Sequence, residues 1–415
     1  MAVRTFCDDI IRAYTHCDSV MSIYTYGELV WPMGPTPPGV WYVSWTPESL
    51  TGTFSMWGST YSLQDYSGFY SWSGVNSGIV TTRGFESITG MNYMETNVKS
   101  LSVQAFYRNS MYTASLSRCK YIESHAFMNC KNLQTVSLPR CLYIKSGGFD
   151  NCYSLQYISL PRCTYIDNNV FENCSTLSYA YMPKVSFIGG WAFDSCITLQ
   201  SIYAPMCERI NLRAFKNTAL TTVDLPVCSY IEVEAFLGCT SLTSVSIPQV
   251  TQMNGSVFTW TGITSIDLPM CTQIAGTFGD CSYLSQVSAP VLQIVGQDAF
   301  YSCPALTSIE LPECTIVSRN AFAECTSLSY IDLGNCSYIS NSAFKNCSVL
   351  QTMVLRYSSV CSFIILNPGP YWYTDVFDGT PFMDGSMTVY VPSSLVSVYQ
   401  TRSGWRSQTI LPINT

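Results

Sequence analysis

One unit of about 22 residues recurs along most of the chain, and it restricts the possible folds more than any other feature. Its pattern is L-x-x-I-x-L-P-x-C-x-x-I-x-x-x-A-F-x-x-C-x-x-L, as in Leu306 to Leu328. The phenylalanine recurs twelve times at intervals of 20 to 22 residues, at Phe106, Phe127, Phe149, Phe171, Phe193, Phe215, Phe236, Phe258, Phe278, Phe300, Phe322 and Phe344. One copy cannot bury its apolar side chains alone, so the pattern predicts stacked copies that share one core.

Each unit also predicts its own local structure. The alternating apolar residues before the proline indicate a short strand with one buried side, and the proline ends it because it has no N–H to donate. The A-F pair predicts a short helical or 3-10 arc that buries the phenylalanine, and we expect Ile316 to point inward. Equivalent strands would stack in parallel about 4.8 Å apart. The predicted fold class is a mainly β repeat solenoid of short parallel strands and short arcs.

These units resemble the bacterial BspA-like leucine-rich repeats, which read L-x-x-I-x-L-P followed by A-F-x-x-C. The resemblance covers about residues 101–410 and implies a right-handed leucine-rich-repeat solenoid. It also implies a surface-exposed or secreted adhesion or host-interaction protein, and the family includes phage and prophage proteins. The pattern V-Y-V-P-x-x-L-x-x-x-Y-x-x-x-x-x-W is similar to the family's closing helix. It predicts a last strand ending at Pro392 and then a capping helix with Leu395, Val396 and Tyr399 on one face.

Composition divides the chain into four predicted segments. Residues 1–39 alternate apolar and polar around Tyr26-Gly27-Glu28, which predicts a β-hairpin used for attachment, and end in a Pro-rich linker. Residues 40–100 are aromatic-rich and predict a small β cap, because terminal repeats need atypical caps; a glycan-stacking surface is the alternative. The repeats occupy 101–366, and 367–415 hold an atypical last repeat and the C-terminal cap.

The 20 cysteines follow the repeat. Nine lie three residues after the A-F phenylalanine and eight lie two residues after the strand proline or its equivalent. Thr218 and Thr261 replace the first cysteine where the arc is one residue shorter, and the second is replaced by Val185, Val250 and Leu292. These replacements would leave partners unpaired in a disulfide scheme, so we predict buried, reduced thiols. We expect the threonine hydroxyls to bond backbone groups in the shorter arcs.

Composition and motifs exclude several classes of function. The net charge is −7 without a Lys/Arg cluster, so no nucleic-acid partner is expected, and no run of 18 apolar residues exists, so no membrane insertion is expected. The absence of a C-x-x-C pair predicts no metal site, and the absence of known catalytic motifs predicts no cofactor and no enzyme. No secretory signal is recognisable either. The remaining enzymatic alternative is glycan cleavage by Glu310 and Asp332, one repeat apart, near the ~5 Å spacing of a retaining pair.

Solvent-facing positions of the early repeats combine tyrosines in the strands with cations after the prolines. We predict that this Tyr/Arg patch binds the ligand, since both residue types are enriched at interface centres; incidental tyrosines on a solvated face are the alternative. Its members are Arg118, Arg140, Arg162, Lys184, Tyr157, Tyr179, Tyr181 and Tyr203. The late repeats present acids instead. A second aromatic ladder predicts structural stacking on the flank, at Tyr121, Tyr143, Tyr165, Phe187, Tyr230 and Tyr338.

The expected function is non-enzymatic recognition or adhesion, with a protein or glycan ligand on a cell surface. Low charge and many hydroxyl side chains favour contact with glycans, proteins or copies of the chain itself. Without a recognisable signal peptide, we expect localisation at the cell surface, outside the cell or on a virion, where the N-terminal region would contact other virion proteins. The alternative is a structural virion or surface component whose solenoid is a spacer or decoration.

Overall fold

A computed structural model describes residues 100–101, 103–363, 376–402, 405 and 407–413, and the backbone of the strands between Met21 and Thr96. The chain forms two compact units. Unit 1 is Met1–Lys184 and unit 2 is Val185–Thr415.

The N-terminal part of unit 1 is built from strands. They are β1 Met21–Thr25, β2 Glu28–Leu29, β3 Trp41–Trp45, β4 Gly52–Met56, β5 Ser59–Leu63, β6 Tyr70–Gly74, β7 Ile79–Val80 and β8 Tyr93–Thr96. β1 and β2 pair antiparallel with Thr25 opposite Glu28, which confirms the predicted hairpin. β8 pairs in parallel with the first repeat strand at Thr113, so the sheet continues into the repeats. The aromatic side chains between 40 and 96 lie outside the described residues.

Two short strands per repeat follow in unit 1. They are β9 Ser100–Leu101, β10 Thr113–Ser115, β11 Tyr121–Ile122, β12 Thr135–Ser137, β13 Tyr143–Ile144, β14 Tyr157–Ser159, β15 Tyr165–Ile166 and β16 Tyr179–Tyr181. The longer strand of one repeat pairs in parallel with the longer strand of the next, as β10 does with β12. The shorter strands pair in the same way, as β11 does with β13. Unit 1 is therefore a parallel β-solenoid in its repeat region.

Unit 2 continues the same pattern. Its elements are β17 Phe187–Ile188, β18 Ser201–Tyr203, β19 Arg209–Ile210, β20 Thr222–Asp224, β21 Tyr230–Ile231, β22 Ser244–Ser246, β23 Gln252–Asn254, β24 Ser265–Asp267, β25 Gln273–Ala275, β26 Gln286–Ser288, β27 Ile294–Val295, β28 Ser308–Glu310, β29 Ile316–Val317, β30 Tyr330–Asp332, β31 Tyr338–Ile339, β32 Thr352–Val354, β33 Ser362–Phe363, β34 Thr388–Val391, a 3-10 helix Ser393–Leu395, α1 Val396–Thr401 and β35 Thr409–Pro412. The strand pairs are again parallel, as in β28 with β30.

Stacked phenylalanine rings fill the core of each unit. Phe127 and Phe149 lie 4.9 Å apart between ring centroids in unit 1, and Phe322 and Phe344 lie 5.4 Å apart in unit 2. The inward strand residues are buried with them, which confirms the shared core. The expectation for Ile316 was wrong, since it is partly exposed while Val317 is fully buried. In a two-residue strand the neighbouring side chains point to opposite sides, so a shift of one position exchanges them.

The arc is a series of β-turns, and the described arcs contain no helix. The N–H of Cys130 donates to the Phe127 carbonyl three residues back at 3.1 Å, whereas the N–H of Phe127 donates to Gly148 of the next repeat at 2.8 Å. His125 and Asn129 lie two residues on either side of Phe127 and have positive φ angles of 58° and 63°. Because alternate N–H groups bond the next repeat, a continuous 3-10 helix cannot form.

The C-terminal cap is anchored on one cysteine. The backbone N–H of Cys361 donates to the Tyr399 hydroxyl at 2.7 Å, and Trp405 Nε1 donates to the Cys361 carbonyl at 3.3 Å. The predicted helix has only six residues, of which Tyr399 alone is buried. The expectation that the strand ending at Pro392 is the last one was wrong, because β35 follows α1 and pairs in parallel with β34.

Candidate ligand-binding face

Seven of the eight predicted patch residues lie in unit 1. Its four cations, Arg118, Arg140, Arg162 and Lys184, are all exposed. They follow the strand prolines or, for Arg118, the equivalent position, so they recur once per repeat, about 4.8 Å apart along the sheet. None of the four belongs to an ion pair among the described residues. Unit 1 therefore presents a row of available positive charges.

The tyrosines of unit 1 lie beside this row. Tyr157 on β14 and Tyr179 on β16 are direct partners in parallel strands, with exposed fractions of 48% and 39%. Tyr181 lies two residues further along β16 and is half-buried. Tyr203 belongs to β18 of unit 2, where it is also exposed. The unit 1 patch can offer aromatic faces, phenolic hydroxyls and positive charge to a ligand.

The flanking aromatic ladder packs against itself. Tyr143 and Tyr165 stack with ring centroids 4.8 Å apart and planes 16° apart. Burial and the nearby Asp167 carboxylate raise the pKa of Tyr143 to about 12. In unit 2, the Arg209 guanidinium lies 4.2 Å from the Tyr230 ring centroid. These contacts confirm the structural interpretation of the ladder at these positions.

Unit 2 carries different side chains at the equivalent face. Exposed acids occupy the outward strand position of alternate repeats, at Asp224, Asp267 and Glu310, whereas Asp332 in the repeat after Glu310 is buried. The position after the proline or its equivalent is apolar at Met206, Val227, Met270 and Val291 and polar at Gln249, Glu313 and Asn335; all seven side chains are exposed. A groove of about 420 Å³ lies on this face between β26 and β28, with Gln286, Ser308 and Glu310 among its lining residues.

The two carboxylates considered for glycan cleavage differ in their surroundings. Glu310 and Asp332 are direct partners of β28 and β30, so they lie one repeat apart as expected. Asp332 is only 5% exposed, forms a salt bridge with Arg356 and accepts a 3.0 Å hydrogen bond from the Gly334 N–H. These contacts give Asp332 a structural role, whereas Glu310 faces solvent.

The cysteines are part of the core. All 18 described cysteines are buried and none of them forms a disulfide, Cys361 included; Cys7 and Cys17 lie outside the described residues. The thiols that lie three residues after an A-F phenylalanine donate to a phenylalanine carbonyl, as Cys325 Sγ does to Phe300 at 3.1 Å. Burial raises the pKa of Cys119 and of Cys325 to about 12. Such thiols are poor nucleophiles at neutral pH.

The described residues contain neither a candidate metal site nor a helix that could span a membrane. No group of three or more His, Cys, Asp and Glu side chains able to hold a metal ion occurs among them. Within that same part of the chain, every helix is too short or too polar to pass through a bilayer.

The structure adds exposed aromatic residues on the arcs of unit 2 that were not predicted. Trp260 is 58% exposed, and Tyr283 and Tyr301 are also exposed. Trp260 lies two residues after Phe258, where most other repeats have Asn, Ser, Asp or Gly. A tryptophan in that column is the sequence signal that could have identified this surface.

Comparison with protein families identifies the type of repeat. The family model for the BspA type leucine rich repeat region, with six copies, matches residues 80–178, 164–277 and 257–363. Together these matches cover more than half of the chain. None of the curated proteins matches the chain significantly.

Several solved structures are similar to this chain. A leucine rich cell surface protein from Faecalibacterium prausnitzii A2-165 has 19% identity over 71% of this chain and 91% of that one, with a TM-score of 0.39. A leucine-rich repeat protein from Eubacterium ventriosum ATCC 27560 has 18% identity over 80% and 95%, with a TM-score of 0.43. The pneumococcal vaccine antigen PcpA has 14% identity over 89% and 100%, with a TM-score of 0.37.

Proposed function

Because this chain belongs to the BspA-type leucine-rich repeat family, we propose that it is a non-enzymatic recognition or adhesion protein that binds a protein or glycan ligand on a cell surface. Membership of this family favours a binding or adhesion role. The ligand-binding site that we propose is the unit 1 part of the Tyr/Arg patch, with Arg118, Arg140, Arg162, Lys184, Tyr157, Tyr179 and Tyr181.

The exposed tyrosine pair beside unpaired cations is the observation that carries this proposal. Tyr157 and Tyr179 are adjacent on neighbouring strands, and Arg162 and Lys184 follow those strands without an ion pair. Exposed rings and unpaired charges add little to folding stability, whereas Tyr and Arg are typical of energetic centres in interfaces. A binding role accounts for both features at once.

The site of display is a further part of the proposal. We place the protein at the cell surface, outside the cell or on a phage particle, with residues 1–39 as the segment that attaches it to other virion proteins in the last case. The structural alternative, a virion or surface component whose repeats serve as spacer or decoration, uses the same fold without a ligand.

The test measures binding of the purified full chain to bacterial and host cells and to arrays of glycans and matrix proteins. We expect saturable binding that the double variant Tyr157→Ser with Tyr179→Ser weakens by about tenfold or more, in line with the energies of interface centres. The matched control is Tyr112→Ser with Tyr121→Ser, because both tyrosines are exposed in unit 1 but lie outside the patch.

Equal binding by the wild type and the patch variant would exclude the patch as the site. An absence of binding on all cells and arrays, combined with a defined assembly in solution, would favour the structural alternative.

A further inference from the structure

Charge is distributed unevenly between the repeats of the two units. Residues 103–184 contain 8 Lys and Arg and 4 Asp and Glu, whereas residues 185–363 contain 6 and 12. On the exposed faces, unit 1 presents Arg118, Arg140, Arg162 and Lys184, and unit 2 presents Asp224, Asp267 and Glu310. None of these seven side chains belongs to an ion pair within the described part of the chain. Two faces of opposite charge are thus both available.

The order of charged and apolar residues is inverted between the two faces. In unit 1 the strands carry the exposed tyrosines Tyr157 and Tyr179, and the positions after the prolines carry the cations. In unit 2 the strands carry the acids, and the positions after the prolines carry exposed apolar side chains, such as Met206 and Met270. Along each repeat, the unit 1 tyrosines therefore precede the cations, whereas the unit 2 acids precede positions that are apolar in four of seven repeats.

We propose that the unit 1 face of one copy binds the unit 2 face of a second copy with their strands antiparallel. In that orientation the strands of one face lie over the post-proline positions of the other. The tyrosines then meet methionine and valine, and the arginines meet aspartate and glutamate. Parallel strands would instead place tyrosines on acids and arginines on apolar side chains. This partner goes beyond the proposed ligand, although both would use the same tyrosines and cations.

The spacing of the two charged columns is compatible with this pairing. Both sheets have strands about 4.8 Å apart, and the cations occur on every repeat, whereas the acids occur on every second one. Each acid can therefore lie between two cations of the opposing face. The groove of about 420 Å³ beside Glu310 lies on the same face and offers a recess for an aromatic side chain. Thioether–aromatic contacts between methionine and tyrosine are favourable as well.

Exposed ion pairs are weak and screened by salt, so we expect a weak, salt-sensitive association. The test measures the weight-average mass of the full chain by analytical ultracentrifugation over a range of concentrations. We expect self-association at about 50 mM NaCl, with a dissociation constant that rises about tenfold or more at about 500 mM NaCl.

Two charge-reversal variants make the test specific. The acidic-face variant carries Asp224→Lys, Asp267→Lys and Glu310→Lys, and the basic-face variant carries Arg118→Glu, Arg140→Glu and Arg162→Glu. We expect each variant alone to be monomeric and their equimolar mixture to associate again, because the mixture restores opposite charges. A control with Glu208→Lys and Asp384→Lys, which are exposed outside the face, should associate like the wild type.

A wild type that stays monomeric at low salt would overturn the inference. The same holds if the reversal variants associate like the wild type, or if their mixture stays monomeric although both variants show the wild-type circular dichroism spectrum. The acidic-face variant also separates this inference from the proposed function. This variant retains the unit 1 patch, so its cell binding should persist although its self-association is lost. Loss of cell binding in the Tyr157→Ser with Tyr179→Ser variant tests the proposed ligand site instead.

Discussion

Small polar side chains in the arcs bond buried carbonyl oxygens. In the shorter arc of unit 2, the Phe215 carbonyl accepts from Thr218 Oγ1 at 3.0 Å and from Cys239 Sγ at 3.0 Å. Thr261 Oγ1 donates to Phe258 in the same way at 2.7 Å. These bonds confirm the role predicted for the two threonines. A shorter arc brings the β-branched hydroxyl within reach of its own repeat, whereas a cysteine reaches the preceding repeat.

Replacing Thr218 by valine tests this bond, since valine keeps the shape and removes the hydroxyl. We expect the free energy of unfolding to fall by about 1 kcal/mol, the usual net contribution of one hydrogen bond. Urea titration followed by circular dichroism measures it. The control is Thr222→Val on the exposed side of β20. An equal decrease in the free energy of unfolding in both variants would show that the Thr218 hydrogen bond does not stabilise the fold.

Asp150 is a buried carboxylate with incomplete hydrogen bonding. It is 8% exposed and its Oδ1 has no partner. Burial, followed by repulsion from Glu172, raises its pKa to about 6. The folded state therefore holds this proton more tightly than the unfolded chain, whose aspartate titrates near pH 3.9. Stability from this group is lost as the pH rises from about 4 through about 6.

The variant Asp150→Asn mimics the protonated carboxyl at every pH. At pH 7 we expect its free energy of unfolding to exceed that of the wild type by about 1–2 kcal/mol, and at pH 4 we expect no difference. Urea midpoints at the two pH values measure the difference. The control is Asp224→Asn, on an exposed strand position. A gain that is the same at both pH values would contradict this assignment.

At the scale of the element, the arc depends on two residues with positive φ in each repeat. Asn, Ser, Asp and Gly fill most of these places, because they tolerate the left-handed region better than larger side chains. Trp260 occupies one of them with a φ of 58°, and it is mostly exposed. This backbone conformation is unfavourable for tryptophan and is not offset by burial.

The variant Trp260→Asn should therefore stabilise the protein by about 1 kcal/mol. Thermal unfolding measures the change. Tyr283→Asn is the control, because Tyr283 is also exposed but is not among the residues with positive φ. A Trp260→Asn variant less stable than the wild type would mean that the indole makes contacts worth more than the strain.

The sequence predicted the elements whose residue types recur and missed those set by local geometry. Proline, phenylalanine and cysteine columns located the strands and the core, because each has one physical role in every repeat. The inward residue of β29 was misassigned, since Ile316 and Val317 are both apolar and only the register distinguishes them. The strand β35 was missed because its four residues, Thr409–Pro412, lie outside the repeat pattern. The Tyr/Arg patch was predicted from the solvent-facing positions of the repeat. The repeat pattern does not specify the ligand, because those positions vary from one repeat to the next.

At the scale of the whole molecule, the 18 described thiols are all buried in the stacked core and none of them forms a disulfide. Burial raises the pKa of several, including Cys228, Cys239 and Cys271, to about 11. Reaction with a thiol reagent therefore requires the core to open, and it reports on the integrity of the repeats together.

Thiol counting with a chromogenic disulfide reagent at pH 8 tests this property. We expect at most two of the 20 cysteines, Cys7 and Cys17, to react rapidly in the native protein, because the other 18 are buried. All 20 should react in concentrated guanidinium chloride. Rapid reaction of more than two thiols under native conditions would contradict the buried, reduced core.

The hydrogen bonds between successive arcs also bear on how such a gene can change. Every second N–H of an arc bonds the next repeat, as Phe127 does with Gly148, and the same partners recur in each repeat. An in-frame duplication or deletion of one whole repeat by recombination would leave these bonds in phase. It would also add or remove one position in the row of Arg118, Arg140, Arg162 and Lys184. Unequal crossing-over could thus alter the charge of the proposed binding face in discrete increments without redesign of the core.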